Sequence, residues 1–163
     1  WARNPRVTAT LATLTLVLAG LSCRLAAEHA PLQVTPLLLA DHLALMFCTL
    51  FCLAGAVTAL LAQDYISRGD EPEEFFLLLV LATIGACVLA YAVHLASLLL
   101  GLELLSISLY TLIAYPNKSI LPLEAAVKYQ VLSGAASATV LFGFALLYAA
   151  TGARGFSALG EGL

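Results

Sequence analysis

Glu103 is the residue from which most chemistry can be read. It sits in the run Leu100-Gly101-Leu102-Glu103-Leu104-Leu105 and is the only charged residue between Glu74 and Lys118. If 95–115 is a membrane-spanning helix, Glu103 lies about 12 Å from one end and about 18 Å from the other. At that depth it cannot easily snorkel to either surface. An ionised carboxylate there is costly unless paired or hydrated, so such residues usually mark proton or ion pathways, or bind another polar group. Ser106 and Tyr110, three and seven residues on, share its helix face and could supply hydrogen bonds. The plainer alternative is a glutamate that only joins two helices.

Glu124 and Lys128 form a second feature. They are spaced i, i+4 with the acid first, the favourable order for a helical ion pair, and Glu124 suits the positive end of a helix dipole. Lys128 would stand about 8 Å into a span beginning at residue 123, shallow enough for its stem to reach the interface. An anchoring pair and a functional pair are both open. Glu103, about 18 Å below the same surface, would differ from Lys128 in depth by about 10 Å, which opposes a tight pair but allows a watered route. A movable cation near Glu103 could then switch whether it holds a proton.

His94 would lie at a helix end, as an interfacial imidazole or a proton relay. Ser133-Gly134-Ala135-Ala136-Ser137-Ala138 has small residues four apart, which favours close helix packing. Cys23, Cys48, Cys52 and Cys87 lie in or at the ends of apolar runs without a C-x-x-C pair, and read as small apolar fillers. No metal or cofactor set, phosphate-cradling loop or activated nucleophile is visible, so the chain has no redox centre of its own in this reading.

These side chains must be positioned by membrane helices. Hydrophobic residues make up 62% of the chain, charged residues 10%, and mean hydropathy is +1.00. That leaves too little polar surface to coat a water-soluble globule, so lipid is the expected solvent. The net charge of −3 has no basic stripe behind it, which excludes nucleic acid as a partner. Apolar runs cover 7–27, 36–62, 75–115 and 123–150, the second interrupted near its start by Asp41 and His42, which fit an interfacial first turn. The third is 41 residues long, about 60 Å as one helix, so it must fold back, and Ala92-Val93-His94 divides it into two spans. The expected fold is all-α: one membrane domain over 1–163, a polytopic bundle of about five helices.

The loop 63–74, with Asp70, Glu71, Glu73 and Glu74, is too polar for lipid. Tyr115-Pro116-Asn117-Lys118 breaks the chain before the last span. Five spans put Arg3, Arg6, Arg68 and Lys118 on one side and Arg24 and Arg154 on the other, which makes the N-terminal side cytoplasmic. Arg3 and Arg6 before an apolar run have the outline of a signal peptide, but no A-x-A site follows and further spans do. A start at Trp1 just ahead of a span suggests part of a longer polypeptide.

Several segments together resemble a known family. Glu74-Phe75-Phe76-Leu77-Leu78-Leu79, His94-Leu95-Ala96-Ser97-Leu98 leading into Leu100-Gly101-Leu102-Glu103-Leu104-Leu105-Ser106, Leu123-Glu124-Ala125-Ala126-Val127-Lys128-Tyr129, and Leu141-Phe142-Gly143 to Tyr148-Ala149-Ala150-Thr151-Gly152 resemble subunit N of bacterial proton-translocating NADH:quinone oxidoreductase, complex I. Asp41-His42-Leu43-Ala44 fits more loosely. The resemblance implies an N-terminal portion of an antiporter-like subunit with interrupted helices and a partial inverted repeat. It implies proton-path roles for Glu103 and Lys128, with Glu124 beside the lysine. It further implies other membrane-arm subunits as partners, no NADH or quinone bound by this chain, and a multi-pass place in the bacterial inner membrane. The lysine that pairs with the glutamate would lie on a later broken helix, so this chain alone should not complete a channel. Two other readings stand beside it: a subunit of an Mrp-type antiporter or membrane-bound hydrogenase, and a structural membrane fragment without transport of its own.

Overall fold

A computed structural model describes residues 5–66, 72–115 and 119–162. Five helices long and apolar enough to cross a membrane follow one another: α1 (Pro5–Ala26), α2 (His42–Ile66), α3 (Pro72–Tyr91), α4 (Leu95–Ala114) and α5 (Ile120–Thr151). The short α6 (Phe156–Gly162) follows α5, and a small antiparallel hairpin, β1 (Leu32–Thr35) with β2 (Leu38–Ala40), fills the connection from α1 to α2. The all-α membrane bundle expected from the sequence is therefore present, and the long apolar run does turn at 92–94. Arg3, Arg68, Asp70, Glu71 and the breaker residues Pro116, Asn117 and Lys118 lie outside the described residues. The charge bias that orients the bundle rests partly on them.

The hairpin corrects the second span. Residues 36–40, expected inside it, instead complete the hairpin, while Asp41 and His42 do stand at the start of α2. Pro36 offers no ladder donor and follows the end of β1. Asp41 starts the helix, because the Ala44 N–H donates to its Oδ1 at 2.7 Å and the Leu45 N–H to its carbonyl at 3.0 Å. Asp41→Ala should lower stability by about 1 kcal/mol, read as an earlier midpoint in a detergent unfolding titration. At the far end, the last turn of α5 is closed by Gly152, whose φ of 70° is left-handed and whose N–H donates to the Tyr148 carbonyl at 2.8 Å.

Each helix packs on its neighbour in chain order, and α1 also reaches α3. Small residues set the spacing, as expected where lipid offers no hydrophobic drive between helices. A Cβ at Gly20 would stand 3.3 Å from Cys52 Cβ, and one at Gly55 2.9 Å from Thr83 Oγ1, so α2 lies close to both α1 and α3. Ala9, Ala12, Ala59, Ile66 and Phe76 form the buried core at one end of this trio. Hydroxyls without water find acceptors within their own helices: Thr49, Thr83, Ser108 and Thr111 each donate to the carbonyl four residues back.

The α3–α4 turn is held from two sides. Val93 N–H and Ser97 Oγ both donate to the Leu37 carbonyl in the hairpin, at 3.2 and 2.8 Å. Leu95 N–H donates to the Arg154 carbonyl and Phe156 N–H to the Val93 carbonyl, each at 3.0 Å. The hairpin, the turn and the chain after α5 thus meet on one side of the bundle. Non-helical backbone at a membrane boundary is tolerated when its polar groups are satisfied in this way.

Candidate functional site

The position of Glu103 follows from two glycines. A Cβ at Gly85 of α3 would meet Leu105 N at 2.7 Å, and one at Gly101 of α4 would meet Leu89 N at 3.0 Å, so the two helices cross backbone to backbone. Gly101 and Leu105 therefore face α3. Glu103, about 200° round the helix from Gly101, faces away from it. It shares that outer face with Leu100, 63% exposed, and Ile107, 47% exposed. Its own side chain is half-buried.

Glu103 lies about 12 Å from the first residue of α4 and about 16 Å from the last, close to the depth expected. Ser106 and Tyr110 are also half-buried. Neither forms a hydrogen bond with Glu103, and among the described residues its carboxylate has no hydrogen bond or ion pair. The structure thus places an unpartnered carboxylate at mid-depth, on the side of α4 opposite its tightest packing.

Glu124 and Lys128 do form the expected ion pair, one turn apart on α5. Both side chains are more than half exposed, and Ala126 is the buried residue of that helix. Helix α5 begins at Ile120, not at residue 123, because Pro122 in a first turn lacks only a donor that would have had no helical acceptor. Lys128 is therefore about 12 Å into the helix, and its depth differs from that of Glu103 by about 4 Å rather than about 10 Å. Orientation rather than depth separates them.

His94 caps α4, its Nδ1 accepting from the Ala96 N–H at 3.0 Å, which places the ring proton on Nε2 in the neutral form. The small-residue run of α5 splits between faces. Ser133 and Ser137 are half-buried, whereas Gly134 has nothing within 4 Å of an added Cβ. Arg154 donates to the Tyr148 hydroxyl at 2.9 Å and stacks over its ring at 4.6 Å, an interfacial anchor after α5.

The cysteines are more than scattered fillers. Cys23 from α1, Cys48 and Cys52 from α2, and Cys87 and Tyr91 from α3 converge at one level of the bundle. The i, i+4 spacing of Cys48 and Cys52 was the sequence signal that they share a helix face. Among the described residues, no three His, Cys, Asp or Glu side chains are placed as a metal-binding group.

Residues 92–163 match the family described as NADH:quinone oxidoreductase/Mrp antiporter, transmembrane. That stretch contains Glu103, Glu124 and Lys128. A chain of respiratory complex I from Thermus thermophilus, in a structure with bound aureothin, is 33% identical over 93% of this chain, with a TM-score of 0.80. A chain of the membrane-bound sulfane sulfur reductase, an archaeal respiratory membrane complex, is 24% identical over 96% of this chain, with a TM-score of 0.81, and the likeness is one of fold. The chain spans 33% and 38% of the length of those two relatives. Its α3–α4 turn and everything after it are thus similar to the NADH:quinone oxidoreductase/Mrp antiporter family, and its bundle has the fold of a complex I-like membrane chain.

Proposed function

We propose that this chain is the N-terminal portion of subunit N in the membrane arm of a bacterial NADH:quinone oxidoreductase. There Glu103 carries protons in a translocation path driven by quinone reduction elsewhere in the complex. The observation that carries the reading is the Glu103 carboxylate: mid-depth, half-buried, unpartnered among the described residues, and turned away from the Gly85–Gly101 crossing. A carboxylate kept only to glue helices would face the neighbour it joins. Glu103 instead faces away from α3, on the face that carries the exposed Leu100 and Ile107, and there the family resemblance would bring a lysine on a later helix. That cation would favour the ionised form when close and release it when displaced.

Lys128 and Glu124 extend the path toward the α4–α5 side of the membrane. With only about 4 Å between their depths, Lys128 and Glu103 lie at similar levels in the membrane, which suits a watered route between them. The partners are the other membrane-arm subunits and the lipid of the bacterial inner membrane, with NADH and quinone bound elsewhere. Lys128→Met in the assembled complex, reconstituted in vesicles, should cut NADH-driven proton uptake by about tenfold or more, since a positioned proton-transfer group contributes about 10²- to 10⁴-fold. Uptake at the wild-type level would reduce Glu124–Lys128 to an anchor.

The matching family's description, which names the Mrp antiporter beside NADH:quinone oxidoreductase, favours one second reading. In it the same carboxylate chemistry serves an Mrp-type antiporter or membrane hydrogenase. The subunits that co-purify with the chain distinguish the two.

A further inference from the structure

The cysteine cluster has a geometry that the proton path does not use. The Cys48 thiol donates toward the Cys87 carbonyl at 3.8 Å across the α2–α3 contact. Cys52 lies one turn along α2, and Cys23 Sγ is 3.7 Å from the Tyr91 hydroxyl. All four are free thiols. The two helices also approach closely nearby, where Gly55 of α2, two turns from Cys48, stands against Thr83 of α3, one turn from Cys87. A disulfide needs Cα atoms within roughly 7 Å, and such contacts between small residues are what bring them there.

Depth makes the pair reachable. Cys87 is four residues before the end of α3 and Cys48 six residues after the start of α2, so both sit about 6 to 9 Å below the side that carries the hairpin. Cys48 is fully buried, whereas Cys87 is part-exposed. A small neutral oxidant entering from that side would meet Cys87 first.

We propose that Cys87 and Cys48 form a thiol–disulfide site that staples α2 to α3 when a peroxide reaches it. The Cys87 sulfur attacks one oxygen of hydrogen peroxide, the O–O bond breaks, and the thiol proton leaves with the departing oxygen as water. The Cys48 sulfur then attacks the sulfenic sulfur of Cys87, the S–O bond breaks, and the second thiol proton leaves with that oxygen as water. Two thiols lose two electrons in total, and one peroxide becomes two waters. Tyr91 and Cys23 close the site on the α1 side, and Cys52 stays reduced. The proposal does not depend on the proton-path reading.

The test uses the assembled complex in native membranes, treated with hydrogen peroxide, blocked with N-ethylmaleimide, and digested without reductant for mass spectrometry. The expected product is a Cys48 peptide joined to a Cys87 peptide, two hydrogens lighter than their sum and separated by dithiothreitol. In Cys48→Ser the joined peptide is lost and dimedone traps a sulfenic acid on Cys87. Full N-ethylmaleimide labelling of Cys48 and Cys87 after peroxide overturns the proposal, as does a Cys52–Cys87 cross-link in their place. Should Cys48→Ser fail to assemble, the wild-type peptide masses alone decide.

Discussion

Replacing Glu103 with glutamine should lower NADH-driven proton uptake by about tenfold or more while leaving the bundle folded, with an unfolding midpoint changed by no more than about 0.5 kcal/mol. The two halves of that expectation rest on different observations. Uptake falls because the amide keeps the shape of the carboxylate but cannot gain or lose the proton at mid-membrane. Stability is retained because the carboxylate forms no hydrogen bond or ion pair among the described residues, so nothing in α4 is orphaned by its loss. Glu103→Asp should fall between, since it keeps the acid and withdraws it by one methylene. Proton uptake in vesicles of the assembled complex, normalised to NADH oxidation, reads the effect. Wild-type uptake with Gln at this position would remove Glu103 from the path.

Gly85→Ala should destabilise the α3–α4 pair by about 1 to 3 kcal/mol, the usual cost of overpacking. The new Cβ would stand 2.7 Å from Leu105 N and 3.0 Å from Leu105 Cα. The obstacle is backbone, so no rotamer change relieves it and one helix must move. Leu105 is two residues from Glu103, and its displacement should carry the carboxylate with it. Proton uptake is therefore expected to fall together with the unfolding midpoint. Gly134→Ala is the control: nothing lies within 4 Å of its added Cβ, and the midpoint should stay within about 0.5 kcal/mol. Equal midpoints for Gly85→Ala and Gly134→Ala would contradict the close crossing.

Much of this arrangement was legible because the bilayer imposes lengths. A 41-residue apolar run cannot cross as one helix, and the turn at 92–94 followed from that alone. The Glu124–Lys128 pair was legible because i, i+4 neighbours meet on any helix. The hairpin was not. Its residues Leu32 and Leu37 to Leu39 are as apolar as a span, and what holds them out of one is tertiary: Leu38 bridges to Ala92, and the Leu37 carbonyl accepts from Val93 and Ser97. The early start of α5 was hidden because Pro122 stands before the apolar run at 123–150, and a proline fits a helix only in its first turn. The outward direction of Glu103 needed Gly85 and Gly101 paired across two helices, which a single chain read in order does not show. The same holds for the cysteines, whose four positions span 65 residues, from 23 to 87, before helix packing gathers them.

The meeting of hairpin, turn and post-α5 segment also bears on how the protein is made. The Leu95 N–H and the Val93 carbonyl find their partners in Arg154 and Phe156, about sixty residues downstream. At a synthesis rate of about 5 to 20 residues per second, those groups wait on the order of 3 to 12 s after they leave the ribosome. During that interval water at the membrane surface must satisfy them. The helix that carries Glu103 therefore has its first turn locked by the segment that follows α5, so this part of the bundle closes only after α5 has crossed.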